Sequence, residues 1–155
     1  MSKLTPQQQL DGFIDKFTPG IASQARDAMA KILSRLPGAS MLVYDNYNAL
    51  AIGFAPAERT SDAIFSLAVF PRWVTLCFLK NGPALPDPCD MLKGVGTTVR
   101  HIRLDTPAML DRPAVKTLMK EALRLANPPI DPAQPTRLII KSVSAKQRPR
   151  RPAEK

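Results

Sequence analysis

Several features that would identify a function directly are scarce in this chain of 155 residues. It has two cysteines, Cys77 and Cys89, and a single histidine, His101. Two cysteines cannot make the disulfide framework of a small secreted protein, and their spacing matches no common zinc motif. No nucleophile elbow or serine–histidine–aspartate motif is visible. The sequence therefore favours a non-catalytic domain without a metal or a cofactor, and an enzyme of unknown type stays open as an alternative that no motif supports.

Long apolar runs are also missing. The first residues contain no apolar segment of the kind found in a secretory signal. The most apolar stretch, residues 63–79, is interrupted by Pro71 and Arg72, whereas a membrane helix needs about 20 mostly apolar residues. Two strands joined by a turn explain this stretch better. With few cysteines and no export signal, we expect a cytoplasmic protein that does not enter a membrane.

Proline and positive charge, by contrast, are abundant. The 16 prolines are about twice the usual frequency, while the 45% apolar and 23% charged fractions are ordinary for a globular chain. Of the formal net charge of +9, residues 137–155 supply +6 through seven basic residues and one acidic residue. The sequence thus predicts one domain over residues 1–127, a proline-rich linker over residues 128–136, and a basic tail over residues 137–155. We expect the tail to be largely disordered at its end, although residues 137–141 could form a short strand.

Hydrophobic periodicity indicates an α+β fold with a curved antiparallel sheet flanked by N-terminal and C-terminal helices. Thr5-Pro6 and Thr18-Pro19 are helix-start signals, and a third helix is predicted from Pro113. Between these helices the period changes to two, and short connections favour antiparallel strands over residues 41–104. In residues 49–54, large and small side chains alternate. We expect the face made of small residues to receive a helix.

Residues 42–126 resemble the YdhG-like domain family, a set of small bacterial proteins of unknown function. The resemblance rests on the segment at residues 42–45, the hairpin at residues 70–76, the glycine-rich and basic segment at residues 92–104, and the final helix. It implies an α+β fold with a curved antiparallel sheet and no established catalytic residues. One branch of the family has been described as a frataxin-like iron chaperone. That activity is not carried over, because iron favours clustered oxygen ligands and the acidic residues here are scattered.

A glycine-rich segment is the first candidate binding site. Gly94 and Gly96 would allow backbone N–H groups to converge on an anion, with Lys93 and Arg100 adding charge-assisted contacts. A strand rather than a helix follows the glycines, so the segment is not a dinucleotide fingerprint or a P-loop. The alternative interpretation is a tight turn that leads into an edge strand.

A mixture of aromatic and basic residues is the second candidate. A ligand site would form if neighbouring strands brought together Tyr44, Tyr47, Arg72, Trp73, Lys80 and Arg100. The alternative is that these rings belong to the edge of the core. We expect the domain to bind a small anionic ligand, or a protein partner, on this face of the sheet.

The basic tail supports a different hypothesis. Lys146, Arg148, Arg150 and Arg151 would bind phosphate backbones without reading sequence. The segment over residues 146–155 contains no aromatic residue for base stacking, so such binding would be weak and sensitive to salt. A tail that only aids solubility is the simpler alternative.

Overall fold

A computed structural model describes residues 3–152 of the chain. Within that range the chain forms three α-helices, one sheet of six strands and three short 3₁₀ turns. The elements are α1 (Pro6–Asp15), α2 (Pro19–Ser34), β1 (Ser40–Asp45), β2 (Leu50–Ala55), β3 (Phe65–Val69), β4 (Val74–Phe78), β5 (Arg100–Leu104), α3 (Pro113–Leu125) and β6 (Arg137–Val143). The α+β class predicted from the sequence is confirmed. No helix in the described part of the chain is long and apolar enough to cross a membrane.

The first two helices begin at the predicted threonine–proline pairs. The Thr5 side chain accepts a hydrogen bond from the backbone N–H of Gln8, and the Gln8 side chain accepts one from the backbone N–H of Thr5. The Thr18 side chain caps α2 by accepting a hydrogen bond from the N–H of Ile21. Such caps satisfy donors that have no partner within the helix. They fix where the two helices start.

The strand order is β5-β4-β3-β2-β1-β6. Neighbouring strands from β1 to β5 are antiparallel, as predicted, whereas β6 pairs with β1 in parallel. The loop before β6 explains this direction, because the Gln134 side chain donates to the carbonyl of Gly38 at 2.8 Å. Gly38 has a φ of +87°, and a Cβ there would lie 2.0 Å from the Asp131 carbonyl oxygen. The chain is thus returned to the beginning of β1, and the next strand must run alongside it.

Helices cover only one face of the sheet within residues 3–152. Leu50, Ile52 and Phe54 lie in one core with the buried residues of all three helices. The expectation that the small-residue face receives a helix is wrong. Helices pack where burial removes the most apolar surface from water, and on β2 that is the face with the large side chains.

The opposite face is here called the outer face. Near β1 it is covered by the connection between β2 and β3, where Ala63 packs on Leu42 and Ala55. Alternation along the strands also places Trp73, Thr75 and Arg103 on this side. Trp73 is half-buried and Arg103 is exposed. The outer face therefore brings an aromatic and a basic side chain to the end of the sheet where β4 begins.

Candidate functional site

The hairpin between β3 and β4 forms one wall of the candidate site. Phe70 donates its backbone N–H to the Trp73 carbonyl at 2.9 Å, so that Pro71 and Arg72 form the tip of the turn. The rings of Phe70 and Trp73 lie 5.4 Å apart between centroids. The guanidinium of Arg103 lies 4.9 Å from the centroid of the Trp73 ring, a cation–π distance. The indole thus contacts both a second ring and a cation.

The second wall is the chain that follows β6, residues 144–152, here called the strap. Its Ser144 N–H donates to the Asp45 carbonyl at 2.9 Å, and its Arg148 N–H donates to the Tyr47 carbonyl at 2.8 Å. The guanidinium of Arg148 lies 5.7 Å from the centroid of the Tyr47 ring. The strap therefore follows the turn between β1 and β2.

Between these walls lies an open cleft of about 540 Å³, here called the Trp73 cleft. This volume is within the usual range for small-molecule sites, about 300–1,000 Å³. Three arginines and no carboxylate are among its lining residues. These are Asn48, Phe70, Pro71, Arg72, Trp73, Arg148, Pro149, Arg151 and Pro152.

The three arginines differ in how they are held. Arg151 donates through Nε to the Lys16 carbonyl at 3.1 Å and through Nη2 to the Asp15 carbonyl at 3.4 Å. These carbonyls end α1, where a cation is favourable. Arg72 and Arg148 are exposed, and no carboxylate within residues 3–152 forms a salt bridge with either of them. Both guanidinium groups are therefore free of a carboxylate partner in this range and can bind an anion.

A buried ion cluster lies behind the strap. Asp45 is fully buried, and its Oδ1 accepts a hydrogen bond from Nη2 of Arg150 at 2.8 Å. Its Oδ2 accepts one from Nζ of Lys16 at 2.9 Å. Burial raises the pKa of Asp45, but hydrogen bonds with Lys16, Gln147 and Arg150 outweigh it and leave the pKa below its usual value. Asp45 is thus ionised and paired at neutral pH.

Two of the predicted ligand-binding residues, Tyr44 and Arg100, lie away from the cleft. The hydroxyl of Tyr44 is hydrogen-bonded to the Thr60 hydroxyl, beneath the connection between β2 and β3. Arg100 pairs with Phe78, at the end of β4 remote from Trp73. Trp73 and Phe78 are five residue steps apart, which is about 17 Å along an extended strand. Of the predicted group, only Arg72 and Trp73 line the cleft.

The glycine-rich segment has the geometry of a turn. Nη1 of Arg100 donates to the carbonyls of Gly96 and Val99, at 2.6 and 2.8 Å. Lys93 exchanges two backbone hydrogen bonds with His101, both 2.9 Å long, and Gly94 has the left-handed φ of +121° that favours glycine. Arg100 therefore braces its own loop. This geometry matches the alternative interpretation, a tight turn that leads into the edge strand β5.

The four tail residues proposed for nucleic-acid contact have different surroundings. Arg150 is only 5% exposed and is held by Asp45, so it cannot reach a phosphate backbone. Lys146, Arg148 and Arg151 are exposed. Residues 137–152 thus pack on the domain instead of forming a separate tail, because the strand β6 and the buried Arg150 attach them to β1. Residues 153–155, which complete the predicted tail, lie outside the described residues, as do residues 1 and 2.

Sequence reasoning missed the parts of the site that join distant segments. Asp45 was noted as part of the segment at residues 42–45 that resembles the YdhG-like family but not as a site residue, and Lys16 and Asn48 were not singled out. Asp45 and Arg150 are 105 residues apart, so no local pattern connects them. An aspartate at the end of an apolar strand was the one available signal, because a buried carboxylate requires a partner.

No family model, curated protein or solved structure matches this chain. Membership of the YdhG-like family accordingly stays a prediction from sequence motifs. Within residues 3–152, no group of three or more histidine, cysteine, aspartate or glutamate side chains is placed to hold a metal ion.

Proposed function

We propose that this protein binds a small organic anion with a planar apolar part in the Trp73 cleft. One observation carries the proposal: Arg72, Arg148 and Arg151 meet around the half-buried Trp73 in a cleft of about 540 Å³. Arginine binds carboxylate and phosphate groups through paired, charge-assisted hydrogen bonds. The rings of Trp73 and Phe70 offer a surface for the apolar part of the ligand.

The cleft supports this class of ligand over others. A cationic ligand would meet three like charges and no carboxylate in the lining. A fully apolar ligand would leave the arginines without a partner while shielding them from water, which is costly. A planar anion satisfies both the charges and the rings. The proposal is for binding and assigns no catalytic role.

Single-stranded nucleic acid is the second candidate, and one observation favours it. The exposed arginines of the strap lie next to two aromatic rings, since Arg148 contacts Tyr47 and shares the cleft with Trp73. Proteins bind single strands by combining a basic surface with rings on which bases stack. The rings absent from the tail itself are thus supplied by the domain.

The fluorescence of Trp73, the only tryptophan, tests the proposal. The protein is titrated with adenosine monophosphate, benzoate, inorganic phosphate and a mixed-sequence single-stranded oligonucleotide. We expect saturable quenching by the organic anions, and affinity at least about tenfold lower after the double substitution Arg72→Ala and Arg148→Ala. Arg59→Ala is the matched control, because Arg59 is an exposed arginine outside the cleft.

Each result decides between the candidates. Binding of the oligonucleotide with no response to the organic anions up to about 1 mM would replace the first candidate with the second. Equal losses in the double variant and in Arg59→Ala would indicate a general charge effect and overturn the assignment to the cleft. No response to any of the four probes would refute both candidates.

A further inference from the structure

The strap is held by a residue that does not itself line the cleft. Arg150 is buried, with its side chain 3% exposed. Its guanidinium donates to the carboxylate of Asp45 at 2.8 Å and to the carbonyl of Tyr47 at 3.4 Å, and it is also hydrogen-bonded to the carbonyl of Asn46. The same group lies 5.7 Å from the centroid of the Phe17 ring. A single side chain thus binds the β1–β2 turn and the end of α1.

The prolines on either side of Arg150 restrict the backbone of the neighbouring arginines. Residues 148–152 read Arg-Pro-Arg-Arg-Pro. Proline fixes its own φ and restricts the residue before it to extended conformations. Arg148 and Arg151 each precede a proline, so their backbones have little freedom once Arg150 is fixed. Both of these arginines line the Trp73 cleft.

We propose that Arg150 is a positioning residue, which docks the strap through Asp45 and thereby places Arg148 and Arg151 in the binding cleft. This inference rests on the proposed function. It adds that one wall of the cleft depends on the docked strap. Any anion that binds Arg148 and Arg151 in the cleft must then favour the docked strap, because binding and docking are linked equilibria.

The chemistry of the anchor distinguishes arginine from lysine. A lysine at position 150 keeps the positive charge but offers a point donor instead of a planar fork with several N–H groups. Such a lysine can pair with Asp45, but it loses the hydrogen bonds that Arg150 donates to the carbonyls of Asn46 and Tyr47. We therefore expect Arg150→Lys to lie between the wild type and Arg150→Ala in every measurement of strap docking.

The experiment measures the strap and the ligand separately. For the full chain, Arg150→Ala, Arg150→Lys and the control Arg137→Ala, amide hydrogen exchange is measured at Arg148, and acrylamide quenching at Trp73. The conditions are ones in which far-UV circular dichroism shows each variant to be folded. Arg137→Ala removes an arginine and its exposed ion pair with Glu58 from the same C-terminal region. Affinity for adenosine monophosphate is then measured for all four proteins.

We expect Arg150→Ala to accelerate exchange at Arg148 and to increase quenching of Trp73, with the core amides unchanged and the control like the wild type. Its affinity for adenosine monophosphate should fall at least about tenfold, as far as in an Arg148→Ala, Arg151→Ala double variant. In the wild type, the nucleotide should slow exchange at Arg148.

Failure of the inference differs from failure of the proposed function. Unchanged exchange at Arg148 in Arg150→Ala would overturn the positioning role whether or not a ligand binds. Faster exchange with undiminished nucleotide affinity would also overturn it, because the strap would then be irrelevant to binding. If the wild type binds no nucleotide, the inference about the cleft falls for this ligand, while the exchange data still decide whether Arg150 docks the strap. If Arg150→Ala does not fold, the Arg150→Lys variant carries the same comparisons.

Discussion

Replacing Asp45 with asparagine removes the charge at the centre of the buried ion cluster. The substitution leaves Arg150 buried, with its side chain 3% exposed and only carbonyl oxygens as acceptors. Removing one partner of a buried ion pair costs about 3–5 kcal/mol, because the remaining charge is uncompensated. Lys16 adds little to this figure, since its side chain is 43% exposed and can turn to water.

Undocking of the strap limits this loss of stability. If the strap undocks, Arg150 reaches water, and the loss is then confined to the contacts of the strap. Its two backbone hydrogen bonds, from Ser144 and Arg148, contribute about 0.5–1.5 kcal/mol each. We therefore expect Asp45→Asn to lower the free energy of unfolding at pH 7 by about 2–4 kcal/mol. That is a large part of the usual 5–15 kcal/mol.

Urea unfolding followed by two probes measures the effect. Trp73 fluorescence reports the environment beside the strap, and far-UV circular dichroism reports the whole fold. In the wild type we expect coincident transitions, and in the variant a transition of Trp73 that precedes loss of secondary structure. Asp15→Asn is the control, because Asp15 forms an exposed pair with Arg26 that should be worth less than about 1 kcal/mol.

The effect should depend on pH in a defined direction. The pKa of Asp45 in the folded protein lies below its unfolded value, so the stability it contributes is present above about pH 4 and is lost as the pH falls through the folded pKa. The difference in the free energy of unfolding between the wild type and Asp45→Asn should therefore become smaller in acid. A difference in this free energy below about 1 kcal/mol at pH 7, or a difference that stays constant as the pH falls, would refute this account of the cluster.

Three further predictions concern the core, the backbone and the thiols. Leu67→Ala, at a fully buried position, should lower the free energy of unfolding in urea by about 2–5 kcal/mol, and a loss near zero would contradict the assigned face. A Cβ added at Gly12 in α1 would meet no atom within 4 Å, so Gly12→Ala should stabilise the protein by about 0.5–1 kcal/mol. Gly38→Ala meets the Asp131 carbonyl at a φ of +87° and should destabilise the protein, so equal effects of the two would be unexpected. In a thiol titration with Ellman's reagent, the exposed Cys89 should react at once. The half-buried Cys77, whose pKa burial raises to about 11, should react much more slowly until the protein unfolds, and equally prompt reaction of both thiols would contradict this expectation.

Local signals in the sequence predict most of the elements. Thr5 and Thr18 start helices because a threonine side chain followed by proline suits the first turn of a helix. Alternation also predicts the strands from β1 to β5, since the side-chain period of a strand is two. These features depend on neighbours within a few residues, which is the range that a single sequence reports.

The face of the sheet on which the helices pack and the candidate site were harder to predict. The small residues of β2 were interpreted as a helix contact, but the apolar area of Leu50, Ile52 and Phe54 decides where the helices pack. The Trp73 cleft needs the pairing of β6 with β1 and the contact between Asp45 and Arg150. Both join segments roughly a hundred residues apart, and composition alone made the second segment look like a free basic tail.

The parallel pairing of β6 with β1 has a consequence for synthesis of the chain. Ser40 pairs with Arg137, and Asp45 pairs with Val143, so β1 is made long before its outer neighbour exists. Until residues 137–143 leave the ribosome, β1 is an edge strand with unpaired N–H and C=O groups, which are a template for association with other chains. A nascent or prematurely terminated chain that stops before β6 therefore has an exposed edge at which chains can associate, and it also lacks the strap residues that line the Trp73 cleft.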